Sequence, residues 1–180
     1  RDSNIFNYLP AVEAMVKRNY YAIRMGSVSH QSLNLDNPRI IDYAFNSLCS
    51  DFLDIYLSAN CNFFVISDTG LSNLPEVFRN PVVYVNDFLF ALLHRLSVQN
   101  SLFIFKKFKL VKENRFLTFH ELFLLRDSGF EYGLNKQIKK GEICVVDNTP
   151  EEILSVTIEM DDRLKGTWET NEEDEVLQAH

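Results

Sequence analysis

The sequence predicts an α/β protein of Rossmann-like kind, a doubly wound parallel sheet with helices on both faces. Three observations lead there. Short apolar runs at 62–66 and 81–85 alternate with segments of helical spacing, the signature of a βαβα chain. Those runs are apolar nearly throughout rather than at every second residue, as strands covered on both faces must be. With 180 residues, 46% hydrophobic and 13% aromatic, the chain is long enough for one well-buried domain.

Each element follows from local chemistry. Leu9, Val12, Met15 and Val16 are spaced for a helix between Ile5 and Arg18, with Ser3 or Asn4 as its cap and Pro10 confined to the first turns. Residues 20–26 read as a strand broken by Gly26, followed by a polar loop over 27–39 and a short strand at 40–43. Ser50 to Ala59 reads as a short amphipathic helix leading into the 62–66 strand. A helix starting near Ser72, with Pro75 in its first turn, precedes the 81–85 strand, and a further helix is expected from Asp87 to Leu96. Beyond it the pattern changes. Residues 101–110 alternate loosely and carry Lys106, Lys107 and Lys109. Thr118 and Glu121 fit a capping box, and Thr149-Pro150-Glu151-Glu152 is a stronger one, opening a helix to about Leu164 with Ile153, Val156, Met160 and Leu164 on one stripe.

Composition narrows the function classes. The net charge of −7 is concentrated in the last third, including the run Glu172-Glu173-Asp174-Glu175, and argues against a grip on nucleic-acid phosphates. The 3 cysteines, Cys49, Cys61 and Cys144, are scattered without C-x-x-C spacing, which points to a reducing compartment rather than a disulfide framework or a zinc site. No apolar run approaches the roughly 18 residues of a membrane span, and the reading expects no signal peptide. The chain starts at Arg1-Asp2 without an initiator Met, so it reads as a piece of a longer protein. The expected organisation is one domain over 1–165 and an acidic tail over 166–180.

The candidate site is the joint after the 62–66 strand. In open α/β sheets ligands bind beyond the carboxyl ends of the strands. There the sequence places Asp68-Thr69-Gly70-Leu71-Ser72-Asn73. The unpaired N–H groups of a helix start form an anion site, and Gly70 lets the backbone approach a phosphate closely. Thr69 and Ser72 add hydroxyl donors. Asp68, which would repel a phosphate, makes sense as an acceptor of sugar hydroxyls, and Glu76 is placed to accept those of a ribose. The joint therefore suits a sugar diphosphate. Asp-Thr-Gly at a strand end is also ordinary turn and cap chemistry, and Glu76 alone can be a solvated helix residue. Arg24 could contact a phosphate or form a surface ion pair, and the Lys106-Lys107 pair could serve a diphosphate or a solvated edge. His30 is a weak site candidate, while His94 and His120 lack any partner spacing for a metal or a triad.

The segment DTGLSNLPEVFRNPVVYVN resembles the phosphate-binding loop of GT-B glycosyltransferases and is similar in layout to the Asp-Thr-Gly-Leu segment of bacterial heptosyltransferases. More of the chain resembles a family of bacterial glycosyltransferases associated with surface polysaccharide synthesis. The matching pieces are Arg1 to Tyr8, Ile23 to Gly26, Ile41 to Ala44, Ser67 to Phe78, Leu117-Thr118 with Glu121, and Asn148 to Ile153 through Trp168. The resemblance implies the C-terminal, nucleotide-sugar-binding half of a two-domain GT-B enzyme, with an acceptor domain upstream that this chain lacks. It implies transfer of a sugar from a nucleotide-diphosphate donor to a surface glycan or lipid-linked acceptor, without metal or other cofactor, in the bacterial cytoplasm or at the inner face of the membrane. The donor-binding residues would be Asp68, Thr69, Gly70, Leu71, Ser72, Asn73, Glu76 and Arg24, with the general base in the missing domain. The Asp68-to-Glu76 interval also resembles the paired-acid spacing of retaining GT-B enzymes, although Gly70 sits one place earlier than their glycine. Two rivals share the fold: a non-hydrolysing nucleotide-sugar epimerase and a non-catalytic Rossmann-like binding module.

Overall fold

Asn4 starts the fold by accepting the N–H of Phe6 on its side chain at 3.0 Å, which nucleates a 3-10 turn over Ile5–Tyr8. The turn feeds helix α1 (Leu9–Lys17), with Pro10 in the first turn, where its missing N–H removes no helical bond. The structure is a computed structural model and describes residues 3–26, 31–67, 71, 73–87, 100–127 and 130–170.

The protein is an α/β fold with parallel sheets. Strand β1 (Ala22–Ile23) pairs in parallel with β2 (Ile40–Ile41), and the two form a sheet of their own. Helix α2 (Asp51–Asn60) is capped by Ser50, whose hydroxyl accepts the N–H of Leu53. It was expected to be amphipathic, yet Phe52, Ile55 and Tyr56 stay exposed and only Ser58 is buried. Next come β3 (Phe64–Ile66), the five-residue α3 (Asn73–Val77), β4 (Val82–Asp87) and β5 (Ser101–Phe105), with the strands parallel in the order β3-β4-β5. Asp87, the expected start of a helix, is the last residue of β4, and the rest of that expected helix lies outside the described residues.

The loosely alternating stretch 101–110 proves to be two strands. The Lys106 N–H still bonds to the Asp87 carbonyl at 2.9 Å, but from Lys107 the chain pairs with a different partner. Strand β6 (Lys107–Leu110) sits in an antiparallel sheet between β7 (Arg115–Phe116) and β8 (Ile143–Val146). Helices α4 (Phe119–Asp127) and α5 (Phe130–Lys139) accompany this sheet. Phe108, Leu122, Leu134 and Ile143 form its core. The Thr118–Glu121 box is made: the Glu121 N–H donates to the Thr118 hydroxyl at 3.2 Å, and the Thr118 N–H to the Glu121 carboxylate at 2.8 Å. The doubly wound parallel expectation thus stops at Phe105, because the strand pairing changes there.

Helix α6 (Pro150–Lys165) has the expected Thr149–Glu152 box and ends at Gly166, whose left-handed φ of 69° costs a glycine little. It packs with α1 on one face of the parallel sheet, where Ala11, Val83, Val85, Ile153, Val156 and Met160 form a continuous core. Leu164, the fourth member of the expected stripe, is 40% exposed. The opposite face buries Ile66, Val82 and Tyr84, with Phe64, Leu71 and Phe103 packed against them. Residues 82–85 are fully buried because both faces are covered, which is why that strand reads as an unbroken apolar run. No described helix is long and apolar enough to cross a membrane.

Candidate functional site

The site is best built from the strand ends. Ile66, the last residue of β3, is paired with Tyr84, whereas β4 continues to Asp87. The β4–β5 pair therefore projects beyond β3, leaving a step at the carboxyl edge of the sheet. A bulge lies between Tyr84 and Asp87, where β4 carries one residue more than β5. Asn86 takes up the extra length with a φ of 55°.

Tyr84 stands on the face of the sheet opposite α6. It is fully buried and its ring stacks on Phe103, with centroids 4.7 Å apart and planes 7° from parallel. Its hydroxyl donates to Glu76 Oε1 at 2.5 Å. The Glu76 carboxylate is thus anchored by a strand residue lying level with the end of β3. Helix α3 is held at both ends: Leu71 packs against the Ile66–Val82–Tyr84 core, and Asn80 donates to the Ser58 carbonyl at 2.5 Å. Pro75 is buried within it.

Of the sequence-predicted site residues, Asp68, Thr69, Gly70 and Ser72 lie outside the described residues, as do His30 and His94. Leu71 is half-buried, Asn73 is exposed at the start of α3, and Glu76 is half-buried on Tyr84. Arg24 is an ion-pair residue: its guanidinium lies 3.4 Å from both oxygens of Asp42, donates to the Gln31 carbonyl at 2.7 Å and covers the Phe45 ring. Asp42 also accepts the Leu33 N–H at 2.8 Å, so this pair ties the 31–42 segment to the β1–β2 sheet. Lys106 pairs with Asp147 at 2.7 Å, and Lys107 pairs with Glu152. Burial pushes the Glu152 carboxyl up, but the Lys107 ammonium and the Thr149 N–H outweigh it and leave it below its ordinary value. His120 is exposed in the first turn of α4.

Sequence reasoning missed the polar lock on the same edge. Asn86 and Asn148 are each 2% exposed, and each backbone N–H donates to the other's side-chain oxygen at 2.6 Å. The Asn148 amide also donates to the Phe105 carbonyl at 3.0 Å, and that of Asn86 reaches Tyr8 Oη at 3.5 Å. One amide pair thereby joins the ends of β4 and β5 to the start of α6. The only hint in the sequence is an Asn closing the apolar run Val82-Val83-Tyr84-Val85.

A second buried polar centre lies at the far end of α6. Asp161 is fully buried and accepts from Arg18 at 2.6 Å, Tyr20 at 2.7 Å and Lys165 at 2.8 Å. Burial pushes its carboxyl up, but those three donors outweigh burial and hold it below its ordinary value. Burial, aided by the bond to Asp161, pushes the Tyr20 hydroxyl up to about 12. The donors to Asp161 come from α6, from the cap of α1 and from Tyr20 just beyond it, so this centre braces α6 against the chain between α1 and β1.

The sheet thus carries a carboxylate held by Tyr84 on one face and an amide pair that ties the ends of β4 and β5 to the start of α6. No protein-family model, curated protein or solved structure matches the chain.

Proposed function

We propose that this chain is the nucleotide-sugar-binding domain of a metal-independent glycosyltransferase of GT-B architecture, using the carboxyl edge of β3 and β4. The observation that supports it is the Tyr84–Glu76 bond, which ties a carboxylate to the strand residue paired with Ile66, the end of the strand that the Asp68–Asn73 segment follows. A carboxylate so held suits ribose hydroxyls, which can donate to it, while the adjoining segment takes the diphosphate.

In this reading the bond between the anomeric carbon and the β-phosphate oxygen breaks, and an acceptor hydroxyl oxygen forms the new glycosidic bond. The electron pair leaves with the nucleoside diphosphate, and the acceptor's proton passes to a base on the acceptor-binding domain. Backbone N–H groups of residues 69–73 meet the charge developing on the leaving group, the preorganised electrostatic stabilisation that such transfers need. Nη1 of Arg24 is engaged by Asp42 and Gln31, so in this reading a phosphate would meet the rest of its guanidinium. The reaction is placed in the cytoplasm, where the donor is available.

The test is calorimetry of the 180-residue chain with UDP, GDP, CDP, ADP and dTDP and with a sugar ester of each. Saturable one-to-one binding of at least one pair is expected, weakened by Gly70→Val in a variant that keeps its circular dichroism. Absence of binding to every probe, or an unchanged affinity in folded Gly70→Val, would overturn the proposal.

A further inference from the structure

We propose that α2 is the pairing face of a homodimer, packing antiparallel against the α2 of a second copy of this chain. The helix is built inside out. Its one fully buried residue is Ser58, whose hydroxyl donates to the Asp54 carbonyl at 2.6 Å, whereas Phe52, Ile55 and Tyr56 are 71%, 47% and 53% exposed. A helix that ends at solvent carries its polar residues on that side. At about 100° per residue, Phe52, Ile55 and Tyr56 share one arc with Ala59 between them. The Phe52 and Tyr56 rings already stack, with centroids 6.1 Å apart and planes 23° from parallel, so the face is ordered before a partner meets it.

Size and charge fit this face to itself. A two-fold interface presents one patch to its own copy, so the residues must complement each other when the helix is reversed. Reversed about the midpoint between Ile55 and Tyr56, α2 sets the projecting Phe52 against Ala59 of the partner subunit, the smallest side chain on the arc. Asp51 is the one exposed charge on the helix, at its first turn. Antiparallel pairing keeps the two Asp51 carboxylates about 13 Å apart along the axis and opposes the helix dipoles, whereas parallel pairing would bring like charges together. Because α2 has no Lys or Arg, an anionic lipid or nucleic-acid surface finds no counter-charge on it, and a single carboxylate gives a basic partner little to grip. Aromatic side chains bury about 150–250 Å² each, so the face offers roughly a few hundred Å², short of the ~800 Å² per partner of a standard interface. The dimer is therefore weak and concentration-dependent, and the net charge of −7 on each copy opposes it until salt screens the repulsion.

The experiment is sedimentation equilibrium of the 180-residue chain over a concentration series reaching about 1 mM, at low and at high salt, with the variants Phe52→Asp and Ala59→Trp checked for unchanged circular dichroism. The parent should pass from monomer to dimer, and the dimer should tighten as salt rises. Phe52→Asp, at an exposed position, should keep the fold and remain monomeric throughout. Ala59→Trp adds apolar surface but fills the space that Phe52 of the partner subunit needs, so it should weaken the dimer at least about tenfold. A surface that is merely sticky would associate more tightly in that variant. A parent that stays monomeric up to the highest concentration, a dimer that survives Phe52→Asp, one that loosens as salt rises, or one as tight in Ala59→Trp as in the parent would each overturn the proposal.

Discussion

Asn86 and Asn148 exchange their backbone N–H groups through each other's side-chain oxygens, at 2.6 Å in both directions and with both residues buried. Asn148 receives the Asn86 N–H where that residue passes through a φ of 55°, a conformation that asparagine tolerates better than most residues.

Asn148→Ala should therefore be costly. It leaves the Asn86 N–H and the Phe105 carbonyl without these partners in a buried place, and each such loss costs about 1–3 kcal/mol. A total loss of roughly 2–4 kcal/mol in urea unfolding is expected. A loss below about 0.5 kcal/mol would mean that the lock contributes no more than an ordinary surface contact.

The apolar stripe of α6 should split in its response to truncation. Ile153 is fully buried against Val83 and Val85, and Ile153→Ala should cost about 2–5 kcal/mol through lost burial and the cavity left behind. Leu164, which is 40% exposed, should lose under about 1 kcal/mol as Leu164→Ala. Similar losses at both positions would show that the end of the helix is covered in solution by something else.

Acid stability should depend on Asp161. Its folded carboxyl lies below the ordinary value of 3.8, so the unfolded chain binds more protons in the interval between the two values and stability rises with pH there. The contribution is full above about pH 5 and is lost as pH falls through 4 and then through the folded value. Removing one member of a buried pair costs about 3–5 kcal/mol, but Arg18 and Lys165 are one third to one half exposed, so Asp161→Asn should cost about 2 kcal/mol at pH 7. The variant should also show a flatter stability profile between pH 5 and pH 2. A profile parallel to that of the parent would assign the acid sensitivity to other carboxylates.

Asp68→Asn separates sugar recognition from loop architecture. It keeps the shape of the side chain and removes its repulsion toward phosphate, so bare nucleoside diphosphate should bind as well as before or better. The sugar-bearing donor should lose roughly ten- to a hundredfold, the worth of one or two hydrogen bonds to a charged group. Equal weakening of both ligands in calorimetry would assign Asp68 to the loop's own structure.

Much of the fold was legible because its signals are local. A capping box spans three residues, so Thr149–Glu152 and Thr118–Glu121 could be read directly and both are made. The apolar runs that became β3 and β4 announced a buried parallel sheet, since a strand covered on both faces has no polar alternation. The exposed face of α2 was not legible: Phe52, Ile55 and Tyr56 have core spacing, but whether a stripe is covered depends on what packs against it. Arg24 was legible as a strand-end cation, but the choice between a phosphate and a carboxylate partner was not, because Asp42 is supplied by the neighbouring strand's end.

By itself the sequence determined the helix caps, the parallel strand–helix alternation through β4 and the joint at which a ligand site is proposed, all consequences of the backbone chemistry of neighbouring residues. Tertiary structure alone decided the remainder. The change of partner at Lys106 is a matter of which strand lies alongside, and the ladder moves from Asp87 to Val146 within two residues. Asn86 finds Asn148 across 62 residues, and Arg18 finds Asp161 across 143. No local pattern encodes such pairs, because what selects them is the cost of leaving a buried amide or carboxylate without a partner, and that cost arises only once the chain has closed around it.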